Sequence, residues 1–283
     1  MPSPAAQLDH VVINVADQLD QAAERYRRLG FTLTPRGHHS LGSSNHLAIF
    51  GNDYLELLGY EPQNAERAAA YWGTLPGLAG LVFKSQDSDG LFRDLTAQGV
   101  ALDGTAPAAF FRPVELPDGS SRNARFRTVR LDPAAVPNGR IFFCHHLDPD
   151  LVWRPEWQRH ANGVTGLLQA VVATQDPAAS IDLLARTFGS ATVSPIDGGQ
   201  RLTAGRGSVD YLVPDAVRVR FGDTTLPSPD GRDRQVALVL QSVSLAQTRD
   251  TLTAGGIAFD QQAPDQLVVP AREAFGVALA FRA

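Results

Sequence analysis

Leu8-Asp9-His10-Val11-Val12-Ile13-Asn14-Val15, with Asp17 shortly after it and Gly30 beyond, opens a pattern that occurs four times in this chain. An apolar run of strand length leads to a residue suited to cap a helix. A glycine able to take positive φ then ends that helix after about three turns. The pattern returns at Leu78-Ala79-Gly80-Leu81-Val82-Phe83 with Asp87 and Gly99, and at Leu167-Leu168-Gln169-Ala170-Val171-Val172 with Asp176 and Gly189. Its fourth copy is Gln235-Val236-Ala237-Leu238-Val239-Leu240 with Ser244 and Gly256. In the first copy Leu19, Ala22, Ala23, Tyr26 and Leu29 fall on one helical face.

Two more strand-like runs, residues 46–50 and 54–58, follow in the first copy and are joined by the turn residues Gly51-Asn52-Asp53. The unit therefore reads as βαβββ. Corresponding runs lie at 126–131 and 141–146 in the second copy, 209–213 in the third, and 267–269 and 276–281 in the fourth. The copies start at residues 8, 78, 167 and 235, so the longest interval is the middle one. This spacing predicts two domains, residues 1–160 and 161–283, each built from two units.

The 283 residues are 43% hydrophobic, enough for two cores of ordinary domain size. The net charge is -5 with no basic run, which argues against a nucleic-acid or anionic-membrane partner. No stretch approaches the roughly eighteen apolar residues of a membrane span, and Met1-Pro2-Ser3-Pro4 lacks the features of a signal peptide. A cytoplasmic location is the expectation. The one cysteine, Cys144, agrees with a reducing compartment and reads as an inert buried thiol. No dinucleotide-binding glycine motif, phosphate loop or serine nucleophile elbow is present.

Paired βαβββ units with Leu8-Asp9-His10 in the first strand and Tyr54-Leu55-Glu56-Leu57 in the last resemble the vicinal oxygen chelate superfamily, and within it the glyoxalase-like proteins. The resemblance covers nearly the whole chain. It implies an α+β fold in which four βαβββ modules pair into two cup-shaped mixed β-sheets with helices outside. It also implies a divalent metal (Zn, Ni, Mn, Co or Fe) held in a cup by the first and last strands of the paired units. Substrates of that superfamily offer two adjacent oxygens, and its reactions include isomerisation, extradiol ring cleavage, epimerisation and thiol addition. Some members hold no metal and bind a small molecule.

The residues themselves support a metal in the first pair. Strand alternation puts His10, Val12 and Asn14 on one face, and Asp9, Val11, Ile13 and Val15 on the other, against the helices. Glu56 lies among Leu55, Leu57 and Leu58, where an unpaired carboxylate is costly and an ion would offset the cost. In the second unit the position matching His10 is Gly80, which offers no ligand. Of His145 and His146 at the end of the 141–146 run, His146 is favoured because it shares a face with Phe142 and Cys144. The expected metal set is therefore His10, Glu56 and His146, a facial arrangement with open positions.

Asn45 and His46, at the end of the polar loop 35–46, are candidate substrate-binding residues. His46 and Glu56 are the candidate catalytic groups. The adjacent His38 and His39 read as a solvated loop. The 151–163 segment, with Trp153 and Trp157, reads either as a closure of the pocket or as packing between the halves. In the second pair Gln169 and Ala237 stand where histidines would, and Asp210 lies near the Glu56 position without a histidine to partner it. That pair reads as degenerate, with a structural or dimer-forming part, so a homodimer is compatible with the sequence. The expected function is a metal-dependent lyase or isomerase acting on a small molecule with vicinal oxygens. An extradiol-type dioxygenase and a metal-free binding protein are the alternatives.

Overall fold

Eight strands of the first half form one mixed sheet. They are β1 (Leu8–Ala16), β2 (Gly37–His38), β3 (Ser43–Ile49), β4 (Tyr54–Tyr60), β5 (Gly77–Lys84), β6 (Leu102–Glu115), β7 (Ser121–Leu131) and β8 (Arg140–His146), in the spatial order β2-β3-β4-β1-β5-β8-β7-β6. The second half repeats the plan with β9 (Val164–Ala173), β10 (Val193–Ile196), β11 (Gly199–Ala204), β12 (Gly207–Leu212), β13 (Arg234–Ser242), β14 (Asp260–Ala263), β15 (Gln266–Val269) and β16 (Ala278–Arg282). Among the described residues six α-helices accompany the sheets: α1 (Leu19–Arg28), α2 (Ala65–Trp72), α3 (Ser88–Ala97), α4 (Pro177–Phe188), α5 (Pro214–Phe221) and α6 (Leu245–Ala254). The computed structural model describes residues 3–73, 75–116 and 118–283. Among them no helix is long and apolar enough to cross a membrane.

The first sheet curls until its edges meet. The Ser40 N–H beyond β2 donates to the Phe111 carbonyl of β6 at 2.9 Å, and the Phe111 N–H donates to Ser40 Oγ at 3.1 Å. Strand alternation then gives each strand an inward and an outward row. Val11, Ile13 and Val15 of β1 face the helices, whereas Val12 joins Leu47, Tyr54, Phe126 and Phe142 inside the cup.

Three of the four expected caps are present. Asp87, Asp176 and Ser244 accept from the backbone N–H groups of Gly90, Ala179 and Gln247. Asp17 does not cap α1. Ala16 turns the chain with φ 52°, its N–H bonded to Asn14 Oδ1, and Gln18 begins the helix without a side-chain cap. The four closing glycines, Gly30, Gly99, Gly189 and Gly256, all have positive φ, between 62° and 90°. Helices α2 and α5, each following the last strand of a module, were not read from the sequence.

Part of the buried core is shared between the halves. One cluster of buried side chains runs through both halves, with Phe83 of β5 and Phe188 of α4 at 4.6 Å between ring centroids. Each cup has a smaller cluster of its own. Further ties come from the 151–163 segment. His160 accepts from the Thr32 N–H and bonds the Ile49 carbonyl, and the Asn162 amide donates to the Leu29 carbonyl. Asp53, in the turn before β4, accepts from the Leu167 N–H of β9 at 2.9 Å.

Burial pushes the Asp53 carboxyl up to about 6, against the Leu167 hydrogen bond and Arg206. The folded chain therefore holds that proton more tightly than the unfolded chain. The contribution of this group to stability is full below about pH 4 and is lost as pH rises through about 6. Asp53→Asn should remove up to about 3 kcal/mol of that pH dependence, seen as a flatter difference in denaturant midpoint between pH 4 and 7. Gly80 pairs with Val12, and a Cβ on it would lie 2.9 Å from both Cβ and Cγ2 of Val12 and 3.4 Å from Trp72 Cζ3. Gly80→Ala should lower stability by about 1–3 kcal/mol, read as a reduced Tm.

Candidate functional site

β1 does not keep strict alternation. Leu8 pairs with Phe83 and His10 with Val82, so Asp9 is an extra residue with no partner on β5. A bulge of this kind re-aims a side chain. Asp9 was expected on the helix side; instead its carboxylate meets groups of the cup. Asp9 Oδ1 lies 2.6 Å from His10 Nδ1 and 2.9 Å from His146 Nε2, and Oδ2 lies 3.4 Å from Lys84 Nζ. Burial opposes ionisation of Asp9, but the charge of His146 and hydrogen bonds from both imidazoles outweigh it and hold the carboxyl far below the usual range.

With Nδ1 on Asp9, His10 turns Nε2 toward Glu56, whose Oε2 is 3.6 Å away. The His10 ring stacks on Tyr54 at 4.2 Å with an interplanar angle of 11°. Burial raises the Tyr54 phenol well above its ordinary value, so it stays neutral. The other Glu56 oxygen accepts from Asn45 Nδ2 at 2.7 Å and lies 3.9 Å from His39 Nε2. His10, His39, Asn45, Tyr54 and Glu56 line a cavity of about 270 Å³. Its cover is α2, from which Tyr71 and Trp72 reach in.

His39 was expected in a solvated loop. It is largely covered, with Nδ1 on Ser43 Oγ at 2.8 Å. Burial, with Arg112 and His10 adding to it against Glu56, lowers its pKa to about 4, so it is neutral at pH 7. His46 differs from its expected place. It is the neighbour of Asn45 on β3 and faces the other way, its Nδ1 bonded to the Thr34 carbonyl at 2.8 Å, and it does not line the cavity. Period-two alternation allows only one of the adjacent pair to face the cup.

His146, not His145, is on the cup side of β8, packed against Phe126 and Trp153. It is not beside Glu56. The register sets Glu56 opposite Val12 in the first unit and Phe142 opposite Val82 in the second. Phe142, an apolar ring, thus holds the second-unit counterpart of the Glu56 position. His146 instead forms a compact group with Asp9 and Cys144, whose potential ligand atoms all lie within 4.8 Å of one another. Burial works against a charge on His146, but Cys144 and Asp9 beside it raise its pKa, and burial pushes the Cys144 thiol up. Trp153 packs on Tyr54 and His146, and Val152 lines the cavity, so the 151–163 segment both closes the cup and links the halves.

The second cup has the same register and a different filling. Asp210 sits opposite Val171 as Glu56 sits opposite Val12, with Gln169 in the place of His10. Asp210 accepts two hydrogen bonds from Arg201 at 2.7 Å, one from Arg220 at 3.0 Å and one from Gln169 at 2.6 Å. Val217 and Phe221 of α5 pack among Val171, Leu212 and Val268 there. Guanidinium groups satisfy the carboxylate where an ion would otherwise be needed.

Sequence reasoning missed Asp9, His39, Tyr54 and Arg112. A usable signal existed for two of them. A carboxylate inside an apolar strand, as at Asp9, and an arginine after Phe110-Phe111, as at Arg112, invite the question already asked of Glu56.

Residues 8–188 match the family model described as "Glyoxalase-like domain". No curated protein matches the chain in sequence. Among solved structures, a hypothetical protein from Staphylococcus aureus is similar over 98% of both chains, with TM-score 0.67 and 12% identity. A mutant of 4-hydroxymandelate synthase from Streptomyces coelicolor is similar over 100% of this chain and 93% of its own, with TM-score 0.55 and 16% identity. A fusion protein of a xylose isomerase-like TIM barrel with 4-hydroxyphenylpyruvate dioxygenase is similar over 100% of this chain and 50% of its own, with TM-score 0.53 and 13% identity. At these identities the structural likenesses speak for the fold alone. By the match over 8–188 and by its two eight-stranded βαβββ sheets, the chain belongs to the glyoxalase-like domain family of the vicinal oxygen chelate superfamily.

Proposed function

We propose that the first cup is the active centre of a metal-dependent lyase or isomerase acting on a small molecule with two adjacent oxygens. The observation that carries this reading is the His10–Glu56 pair at the cavity, with Asp9 behind His10. Two donors sharing an ion at about 2.0–2.2 Å stand roughly 3–3.6 Å apart, and His10 Nε2 and Glu56 Oε2 are 3.6 Å apart. A carboxylate on the far nitrogen of a ligating histidine fixes its tautomer and increases its basicity, which is the part of Asp9. His10 and Glu56 would hold the ion; His146, the third ligand expected, is bonded to Asp9 and does not line the cavity. A divalent ion bound there supplies polarisation of adjacent substrate oxygens.

The chain's own groups do the rest. Asn45 fixes one Glu56 oxygen and leaves the other toward His10. Tyr54 holds the His10 ring flat against it. The acid/base part expected of His46 passes to His39, the neutral imidazole that reaches the cavity, with Glu56 as the carboxylate that accepts a proton. A second reading, an extradiol-type dioxygenase, is favoured by two histidines, His10 and His39, and one carboxylate around the same cavity. The homodimer and the cytoplasmic location stand as proposals beside these. Every residue named here belongs to the first pair of modules, so one chain supplies the whole cup.

Metal analysis of protein purified without chelators should find about one divalent ion per chain. His10→Ala and Glu56→Ala should lose it, and His46→Ala and Asp210→Asn should keep it. Loss in Cys144→Ser with retention in Glu56→Ala would move the ion to the Asp9, Cys144 and His146 group. A metal-free wild type would overturn both enzyme readings in favour of a binding protein. Bound iron with oxygen uptake on catechols identifies the dioxygenase; Zn, Ni, Mn or Co without oxygen uptake identifies the lyase or isomerase. Asp9→Asn should weaken metal affinity by about 10–100-fold, measured by competition with a chelating dye.

A further inference from the structure

Arg112 projects from β6 into the same cavity and is only 3% exposed. Its Nη2 has no hydrogen-bond partner, and no ion pair to it forms among the described residues. A guanidinium keeps its charge under almost all conditions, and holding one this deep without a counter-ion is costly. The surroundings are shaped for it. A Cβ on Gly37 of β2 would come 2.2 Å from Arg112 Cδ and 2.9 Å from Nη1, so the glycine makes the space the arm occupies.

The charges around the cavity are unbalanced. Arg67, Arg112 and Arg130 line it against a single carboxylate, Glu56, which Asn45 and His10 already engage. Arg130 is turned onto the Tyr71 ring at 5.2 Å and bonds Thr128 Oγ1, which leaves Arg112 as the deep cation without a partner. Beyond the arginines the walls are aromatic, with Phe110, Phe126, Phe142 and Trp72 prominent. A planar fork beside an apolar chamber matches a carboxylate on an apolar body, because two parallel N–H···O bonds fit that group.

We propose that Arg112 is the specificity residue of this cavity and that the ligand is a small organic carboxylate with a ring-sized apolar part, its carboxylate taken by the free edge of the guanidinium. This rests on the cavity being the substrate site and adds the class of substrate it accepts.

Isothermal titration calorimetry on the chelator-treated full chain tests this with 3-phenylpropionate and its neutral isostere 3-phenylpropanamide. The wild type should bind the acid at least about tenfold more tightly than the amide. Arg112→Met should abolish that preference and leave amide binding in place, and Arg112→Lys should retain part of it. Equal affinity for acid and amide, binding of neither, or a preference that survives Arg112→Met would overturn the proposal. Should Arg112→Met fail to fold, the wild-type pair and Arg112→Lys still decide it. Because these titrations exclude metal, a chain that proves metal-free can still show the preference. A chain that holds metal and shows no preference loses this inference alone.

Discussion

A single buried carboxylate organises the first cup. Asp9 is out of register by one residue, and that bulge puts it beside His10 instead of on the opposite face. From there it reaches His10, His146 and Lys84 together, on strands β1, β8 and β5. Its contacts fix the His10 ring so that Nε2 meets Glu56, and they draw His146 into the cup wall. Without a partner such a buried charge would be strongly destabilising; with two imidazoles and an ammonium around it, it holds three strands in one arrangement.

The two halves of the molecule show what that arrangement is for. They share strand order and register, down to the pairing of Val12 with Glu56 and of Val171 with Asp210. In the second cup the carboxylate is closed by Arg201, Arg220 and Gln169, and α5 packs into the space. In the first, α2 covers a cavity, Glu56 is held by one amide and faces a histidine, and Arg112 is left unpaired. One cup is satisfied internally and the other retains donors and charge directed at its cavity. The common buried cluster, tied further by Asp53 and the 151–163 segment, makes the second half part of the support for the first.

The repeated pattern of strand, cap and glycine was legible because each part of it is local. Alternation, an N-capping side chain and a left-handed glycine depend on neighbours within a few residues, and most of those positions serve as expected. His10 and Glu56 were legible because each is a polar residue at a fixed place in an apolar strand. Less was readable where a single step of register matters. Asp9 and His46 both sit one residue from a correct choice, and in a strand one residue reverses the face. His39 and Arg112 lie on parts of the chain that meet the cup only when the sheet edges at β2 and β6 come together.

The amino-acid sequence alone determined the four modules, their pairing in order along the chain, and the presence of a histidine and a glutamate on the strands of the first. Those follow from periodicity and local backbone preference. Only the tertiary structure decided which groups surround that pair. The bulge at Asp9, the closure of the sheet onto Arg112 and the filling of the second cup by α5 are non-local outcomes of packing and charge satisfaction among segments far apart in the chain.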